Sequence, residues 1–248
     1  MSQPPAFNLT PLDLQLLAMT DEEYIPHSWD DLRDIIARND LGALKRKPSD
    51  LRRYLAWSAE TKAKYGSMMN YICQERLRWT SSDSTDPAKV DSPNGSTHPA
   101  NGGPATGESS STCTSVAKAT SSGPLSYKDP RPFADPADYT ILRNDWPYGF
   151  EPGISHLVVW LRTRIPVESD EGHLTDESRA LIDKFVQDKF VKRLAEDAEK
   201  RFPDPQSQVL WFKNWVGLQS VRALEHVHIL VRDVPEEILV EWSGETAR

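Results

Sequence analysis

Two hydrophobic periodicities run along the chain, separated by a stretch that has neither. Behind Ser28, which can cap a first turn, Trp29, Leu32, Ile35 and Ile36 recur at helical spacing until Gly42 marks a stop. Thr20 and Glu23 form an earlier capping pair. A third helical pattern opens at Ser49 with Leu51, Tyr54, Leu55 and Trp57. It resumes past Gly66 with Met68, Ile72, Glu75 and Trp79 along one side. In the second half the period shortens. ISHLVVWLR is a β-branched apolar run of strand length, as are VLWFKNW and HVHILV. Between them Thr175 opens a helix to about Arg201 with Leu181, Ile182, Phe185, Val186, Phe190 and Leu194 inward, stopped by Phe202-Pro203-Asp204-Pro205. Pro235 opens a last helical stretch, EEILVEW. These elements predict an α+β fold: a small, mostly antiparallel sheet packed by the long helix and covered by the N-terminal helices. Trp29, Trp57, Trp79, Trp160, Trp211 and Trp215 are the expected aromatic contributors to its core.

Composition explains the interruption. From Ser81 to Pro124, 29 of 44 residues are Ser, Thr, Gly, Pro or Asn and none is aromatic, which leaves too little apolar surface to offset the entropy of ordering. A disordered insertion is therefore expected over 80–126, between a helical part at 1–79 and an α+β part at 127–248. The flanking parts are expected to pack as one body, because the first is short for a core of its own. His98 and Cys113 fall in the insertion and are set aside. Two cysteines cannot build a disulfide framework or a four-ligand zinc site. A net charge of -8 argues against wrapping nucleic acid. No run approaches the roughly 18 apolar residues of a membrane span, and the first residues lack the pattern of a secretory leader. No Walker or Rossmann glycine loop and no G-x-S-x-G elbow occurs, and no cofactor is implied.

Candidate chemistry concentrates in LEHVHILVRD. Alternation along a strand puts His226, His228 and Leu230 on one face, with the imidazoles about 7 Å apart, and Glu225, Val227, Ile229 and Val231 on the other. Imidazole titrates near neutrality and can act as a nucleophile, and a strand fixes its direction. The structural alternative is a satisfied core histidine beside a surface one. A second segment, NDWPYGFEPGISHLVVW, places Asn144, Trp146, Pro147 and Tyr148 in a proline-braced turn before the strand that carries His156. Asparagine can bond a ribose or phosphate and an aromatic ring can stack, although such a turn serves equally to cover a sheet edge. Gln219-Ser220 precedes the histidine strand, and Arg222 is a candidate phosphate clamp. His-x-His is also a metal-ligand spacing that His156 with Glu225 or Glu241 would complete, but Glu225 should face away.

Taken together, Asn-x-x-Pro-Tyr, then Gly-x-x-His-Leu-Val-Val, a helix and His-Val-His resemble the histidine-triad superfamily of nucleotide hydrolases and nucleotidyltransferases. The resemblance implies a nucleotidyl-histidine intermediate on His226, or else on His228, with Asn144 and His156 in the nucleotide pocket. The superfamily alternates three histidines, whereas this chain has Leu224 or Leu230 at the third place. The resemblance also implies a polar approach to the phosphate at Gln219-Ser220, at a spacing one residue shorter than this chain has. At whole-chain level, RRYLAWSAETKAKYGSMMNYICQERLRW, LRNDWPYGFEPGISHLVVW and WFKNWVGLQSVRALEHVHILV resemble the fungal N-acetylglucosamine-induced protein family. That likeness implies a cytoplasmic or nuclear protein linked to amino-sugar metabolism. Two functions follow as expectations: an enzyme or binder of a nucleotide or nucleotide sugar, or a non-catalytic adaptor with a degenerate pocket.

Overall fold

Four antiparallel strands form one sheet in the order β1-β2-β4-β3: β1 (Tyr139–Arg143), β2 (Ile154–Leu161), β3 (Val209–Phe212) and β4 (Glu225–Arg232). They come from a computed structural model that describes residues 9–79 and 125–246. Residues 80–124 of the expected disordered insertion, with His98 and Cys113, lie outside the described residues, whereas its expected last two residues are placed: Leu125 packs against the cluster at Trp79 and Trp160, and the Ser126 carbonyl accepts from Arg162. Helices α1 (Pro11–Ala18), α2 (Trp29–Ala37), α3 (Pro48–Tyr65) and α4 (Met68–Tyr71) precede the sheet, and α4 runs on as a π-helical segment, Ile72–Leu77. Helix α5 (Asp176–Val186) continues through a π-helical segment, Gln187–Val191, into α6 (Lys192–Ala195), and α7 (Glu236–Ser243) follows β4. The chain is an α+β protein with a small antiparallel sheet. Among the described residues no helix is long and apolar enough to cross a membrane.

The sheet is buried on both faces, and each face does something different. Leu157, Val159, Leu161, Val227, Ile229 and Val231 form a continuous apolar surface against Ile182, Phe190 and Leu194 of the α5–α6 helix and Ile238 of α7. Leu157, Val159, Val227 and Ile229 are wholly inaccessible, each contributing about 1.5–3 kcal/mol by leaving water. The opposite face carries His156, Val158 and Trp160 of β2 and His226, His228 and Leu230 of β4, and the N-terminal helices cover it. Met68, Ile72, Cys73, Leu77 and Trp79 pack on Leu142, Val158 and Trp160 at one end. Trp29, Leu32 and Ile35 of α2 pack on Phe212 and Leu230 at the other.

Several expectations need correction. The long helix starts at its Thr175 cap but ends at Ala195, six residues before Arg201, whose guanidinium instead binds Asp197 beyond the helix end. Thr20 and Glu23 exchange the two capping hydrogen bonds, yet only a bend follows. The first helix is α1, capped by Thr10 and Asp13. Helix α2 closes at Arg38, before Gly42. Glu75 does not join Met68 and Ile72. The π winding of Ile72–Leu77 shifts the phase, turning Cys73 and Leu77 inward and leaving Glu75 exposed, bonded to the Tyr65 hydroxyl at 3.0 Å.

The turn between β1 and β2 is tied to the N-terminal part through backbone. His27 N–H donates to the Gly149 carbonyl, Gly149 N–H to the Lys45 carbonyl, and the Tyr24 hydroxyl also donates to Gly149 at 2.9 Å. This close approach requires a glycine, because a Cβ at position 149 would stand 2.7 Å from carbons of the Tyr24 ring. Gly149→Ala should therefore destabilise the fold by about 1–3 kcal/mol through overpacking, read as a lower urea midpoint. An unchanged midpoint would show that this junction yields freely.

Candidate functional site

Antiparallel register puts the functional side chains in adjacent rows. His226 lies opposite Trp160, His228 opposite Val158 on one side and Phe212 on the other, and His156 opposite Leu230. His156 and His228 are thus diagonal neighbours, and their Nε2 and Nδ1 atoms are 2.9 Å apart. Each ring rests on an aromatic face: His226 on Trp160 at 4.7 Å, His228 on Phe212 at 4.7 Å, and His156 on Tyr148 at 5.7 Å between centroids. The third imidazole of the cluster therefore comes from the neighbouring strand, whereas the alternating places on β4 hold Leu224 and Leu230 in apolar packing.

Hydrogen bonds fix much of the proton placement. The Leu224 carbonyl can only accept, so His226 Nδ1, 2.9 Å away, carries the proton and Nε2 keeps a free lone pair. His226 Nε2 has no hydrogen-bond partner among the described residues. His156 and His228 share a single proton across their contact, since one nitrogen must donate and the other accept. Asn144 accepts the Trp146 N–H through Oδ1 at 2.9 Å, which aims its amide nitrogen at the His156 ring. The Asn214 amide stands 3.3 Å from His228 Nε2.

These rings are held neutral. Burial, and then the Arg46 guanidinium, lower His156 to about 3. Burial, followed by the neighbouring His156 and His226 rings and Arg46, keeps His228 well below the ordinary histidine value. Burial lowers His226 as well, against the upward pull of the Leu224 carbonyl and Glu225. Positive charge enters the site through arginine. Arg46 lies over the Tyr54 ring at 4.2 Å and the Tyr148 ring at 5.2 Å, and its Nε donates to the Trp146 carbonyl. Arg76 and Arg143 also border the site, but Asp145, Glu236 and Glu245 neutralise them.

A cavity of about 130 Å³ opens above the histidines, large enough for a phosphate-sized group. Asn144, Trp146, Ser220, His226 and His228 all line it. His156 sits behind His228, and Arg222 is exposed on an adjoining groove, away from the cavity. The groups that sequence reasoning missed are Arg46, Tyr54 and Asn214. Arg46 sits in the Lys45-Arg46-Lys47 run, which reads as a solvated charge cluster, and nothing in the local pattern marks Asn214. Glu225 points away and pairs with Lys213 at 3.1 Å. Among the described residues no group of three or more His, Cys, Asp or Glu is placed to hold a metal ion.

The family model described as "Protein of unknown function (DUF3605)" matches residues 28–232. The chain belongs to the DUF3605 family. That match takes in Arg46, the Asn144–Tyr148 turn and all of β4. N-acetylglucosamine-induced protein 1 of Candida albicans is 26% identical over 87% of this chain and 72% of its own length. An uncharacterized protein of Saccharomyces cerevisiae is 27% identical over 85% of this chain and 81% of its own. The crystal structure of HTC1 superposes with a TM-score of 0.51 at 24% identity, over 85% of this chain and 86% of that one, so the DUF3605 fold resembles it in architecture.

The lowered imidazoles make this DUF3605 protein acid-labile in a defined window. Below the unfolded value of about 6.5 the unfolded chain takes up protons that folded His156, His226, His228 and His27 refuse, so stability falls as pH drops, by up to about 1.4 kcal/mol per pH unit per ring. Urea midpoints should fall steadily between pH 7.5 and 5, with a shallower slope in His156→Gln. A flat profile over that range would contradict the neutral cluster.

Proposed function

We propose that the cavity binds the phosphate of a nucleotide or nucleotide sugar, with His226 Nε2 facing phosphorus and Arg46 supplying the charge. The observation that carries this reading is the pairing of one free imidazole lone pair with one guanidinium that no described carboxylate neutralises, both on the wall of one cavity. Neutral His226 is a nucleophile that needs no prior deprotonation. Arg46 would meet phosphoryl oxygens in the geometry that guanidinium favours, and Asn144 and Ser220 add polar groups around them. Trp146, packed between Tyr54 and Trp57 with centroids 5.7 and 5.3 Å away, gives the pocket a rigid aromatic border on which a base or sugar can rest. On this reading the sheet is of histidine-triad type, with Leu224, His226 and His228 at alternating places. The name of the Candida albicans relative refers to induction by N-acetylglucosamine, which makes UDP-N-acetylglucosamine the first ligand to try.

A second reading, a binder without turnover, is favoured by two observations. Leu224 holds an alternating place with an aliphatic group, and His156 and His228 are committed to each other. Nucleotide release from UDP-N-acetylglucosamine and dinucleoside polyphosphates, compared between the wild type and His226→Ala, separates the two. In transfer, Nε2 bonds to the α-phosphorus as the phosphoanhydride P–O bond breaks and the sugar phosphate or second nucleotide leaves, and water then cleaves the N–P bond to free the nucleotide; this route predicts release that falls at least about a hundredfold in the variant. Equal background rates with a ligand-dependent rise in melting temperature would leave the binder, and a flat melting temperature would remove both.

A further inference from the structure

Resting on the cavity reading, we infer that a second anion subsite lies outside the cavity, in the groove between the N-terminal helices and the Gly217–Arg222 loop, and takes a further phosphate of the same ligand. The groove measures about 430 Å³. It shares Arg46, Tyr54, Tyr148, Leu218 and Ser220 with the histidine cavity, so the two stand on either side of a common wall. Across that wall the Tyr54 and Ser220 hydroxyls meet at 2.9 Å. A ligand with its reacting group at His226 outgrows a cavity of about 130 Å³ if it carries a nucleoside or a second phosphate, and the groove that shares Arg46 is the adjoining space that would take the remainder.

Charge selects the occupant. The chain carries -8 overall, yet the groove is lined by Lys45, Arg46, Lys62 and Arg222 against Asp13 as its one carboxylate. Among the described residues no carboxylate stands within 4.0 Å of Lys45, Arg46 or Arg222, whereas the guanidiniums bordering the cavity floor, Arg76 and Arg143, are paired. Lys45 Nζ lies 5.5 Å from the centre of the Tyr24 ring, which positions a cation without neutralising it. Lys45, Arg46 and Arg222, gathered in a concave surface of an acidic protein with no described carboxylate within 4.0 Å, fit a chain of phosphates better than a neutral sugar or an apolar group. The inferred ligand class is therefore a diphosphate or longer polyphosphate ester, bound as one phosphate at His226 and Arg46 and the next toward Lys45 and Arg222. Arg222 thus keeps the phosphate-binding part expected of it from sequence, but one subsite further out.

Isothermal titration of the full chain with phosphate, pyrophosphate and tripolyphosphate tests this. Affinity should climb with chain length, tripolyphosphate binding at least about tenfold tighter than phosphate, and the gain should shrink as ionic strength rises. In Lys45→Ala/Arg222→Ala the ratio should collapse toward one, and Arg222→Gln, at an exposed position, should lower it should the double variant lose structure. Equal affinities for the three anions, or a ratio the variants leave intact, would overturn the subsite. His226→Ala separates the two readings. Phosphate binding that needs His226 but gains nothing with length keeps the cavity and removes the groove. Tripolyphosphate binding that needs Lys45 and Arg222 but ignores His226 removes the cavity reading and with it the claim that one ligand spans both.

Discussion

Pairing of β2 with β4 is the constraint from which the site follows. Its register places His156, Val158 and Trp160 beside Leu230, His228 and His226 on one face while Leu157, Val159 and Leu161 join Ile229, Val227 and Glu225 on the other. A one-residue slip of β4 would carry His226 and His228 into the apolar layer under α5–α6 and turn Val227, Ile229 and Val231 toward the cavity. The large apolar surface at Leu157, Val159, Val227 and Ile229 therefore does more than stabilise the sheet. It fixes where the histidines point, and the same burial that seals one face holds the polar groups on the other at short, defined separations.

Desolvation then decides the chemistry those rings can perform. Under the N-terminal helices the imidazoles lose their charged form, and the site's positive charge passes to guanidinium, which cannot be neutralised by burial in the same way. Arg76 and Arg143 are consumed by Asp145, Glu236 and Glu245, which tie the Asn144–Tyr148 turn to the π-helical segment and the last helix. Among the described residues Arg46 has two aromatic faces and one carbonyl for partners. The division is physical: two arginines hold the frame, and one remains available to an anion. Because Arg46 comes from the loop before α3 and His226 from β4, the cavity exists only where the N-terminal helices meet the sheet.

How much of this could be read from sequence depends on range. Alternation in HVHILV fixes the shared face of His226 and His228, since side-chain period in a strand is a local property. The cap at Thr175 and the helix after Pro235 are also local and coincide with the observed starts. Strand β1 is missed because TILR is short and flanked by polar residues, and the end of α6 is misplaced because the first proline of the stop signal lies eight residues beyond Ala195. The phase shift at Ile72–Leu77 is invisible to any fixed helical period. Within the site, Asn144 carries a turn signature, whereas Arg46 and Asn214 reach the cavity only through tertiary packing. Arg222 is cationic and adjacent to the strand in sequence, but the loop that carries it directs it to the outer groove.

Everything proposed for the cavity depends on His226 standing neutral in the folded protein, protonated on Nδ1 by the demand of the Leu224 carbonyl, with Nε2 left to the cavity it lines. Long-range ¹H–¹⁵N correlation spectra of the histidine rings read this directly at pH 7. A protonated Nδ1 and an unprotonated Nε2 are expected for His226, with protonation of the ring setting in only below the ordinary histidine range. A ring protonated on Nε2, or one that titrates near 6.5, would contradict it.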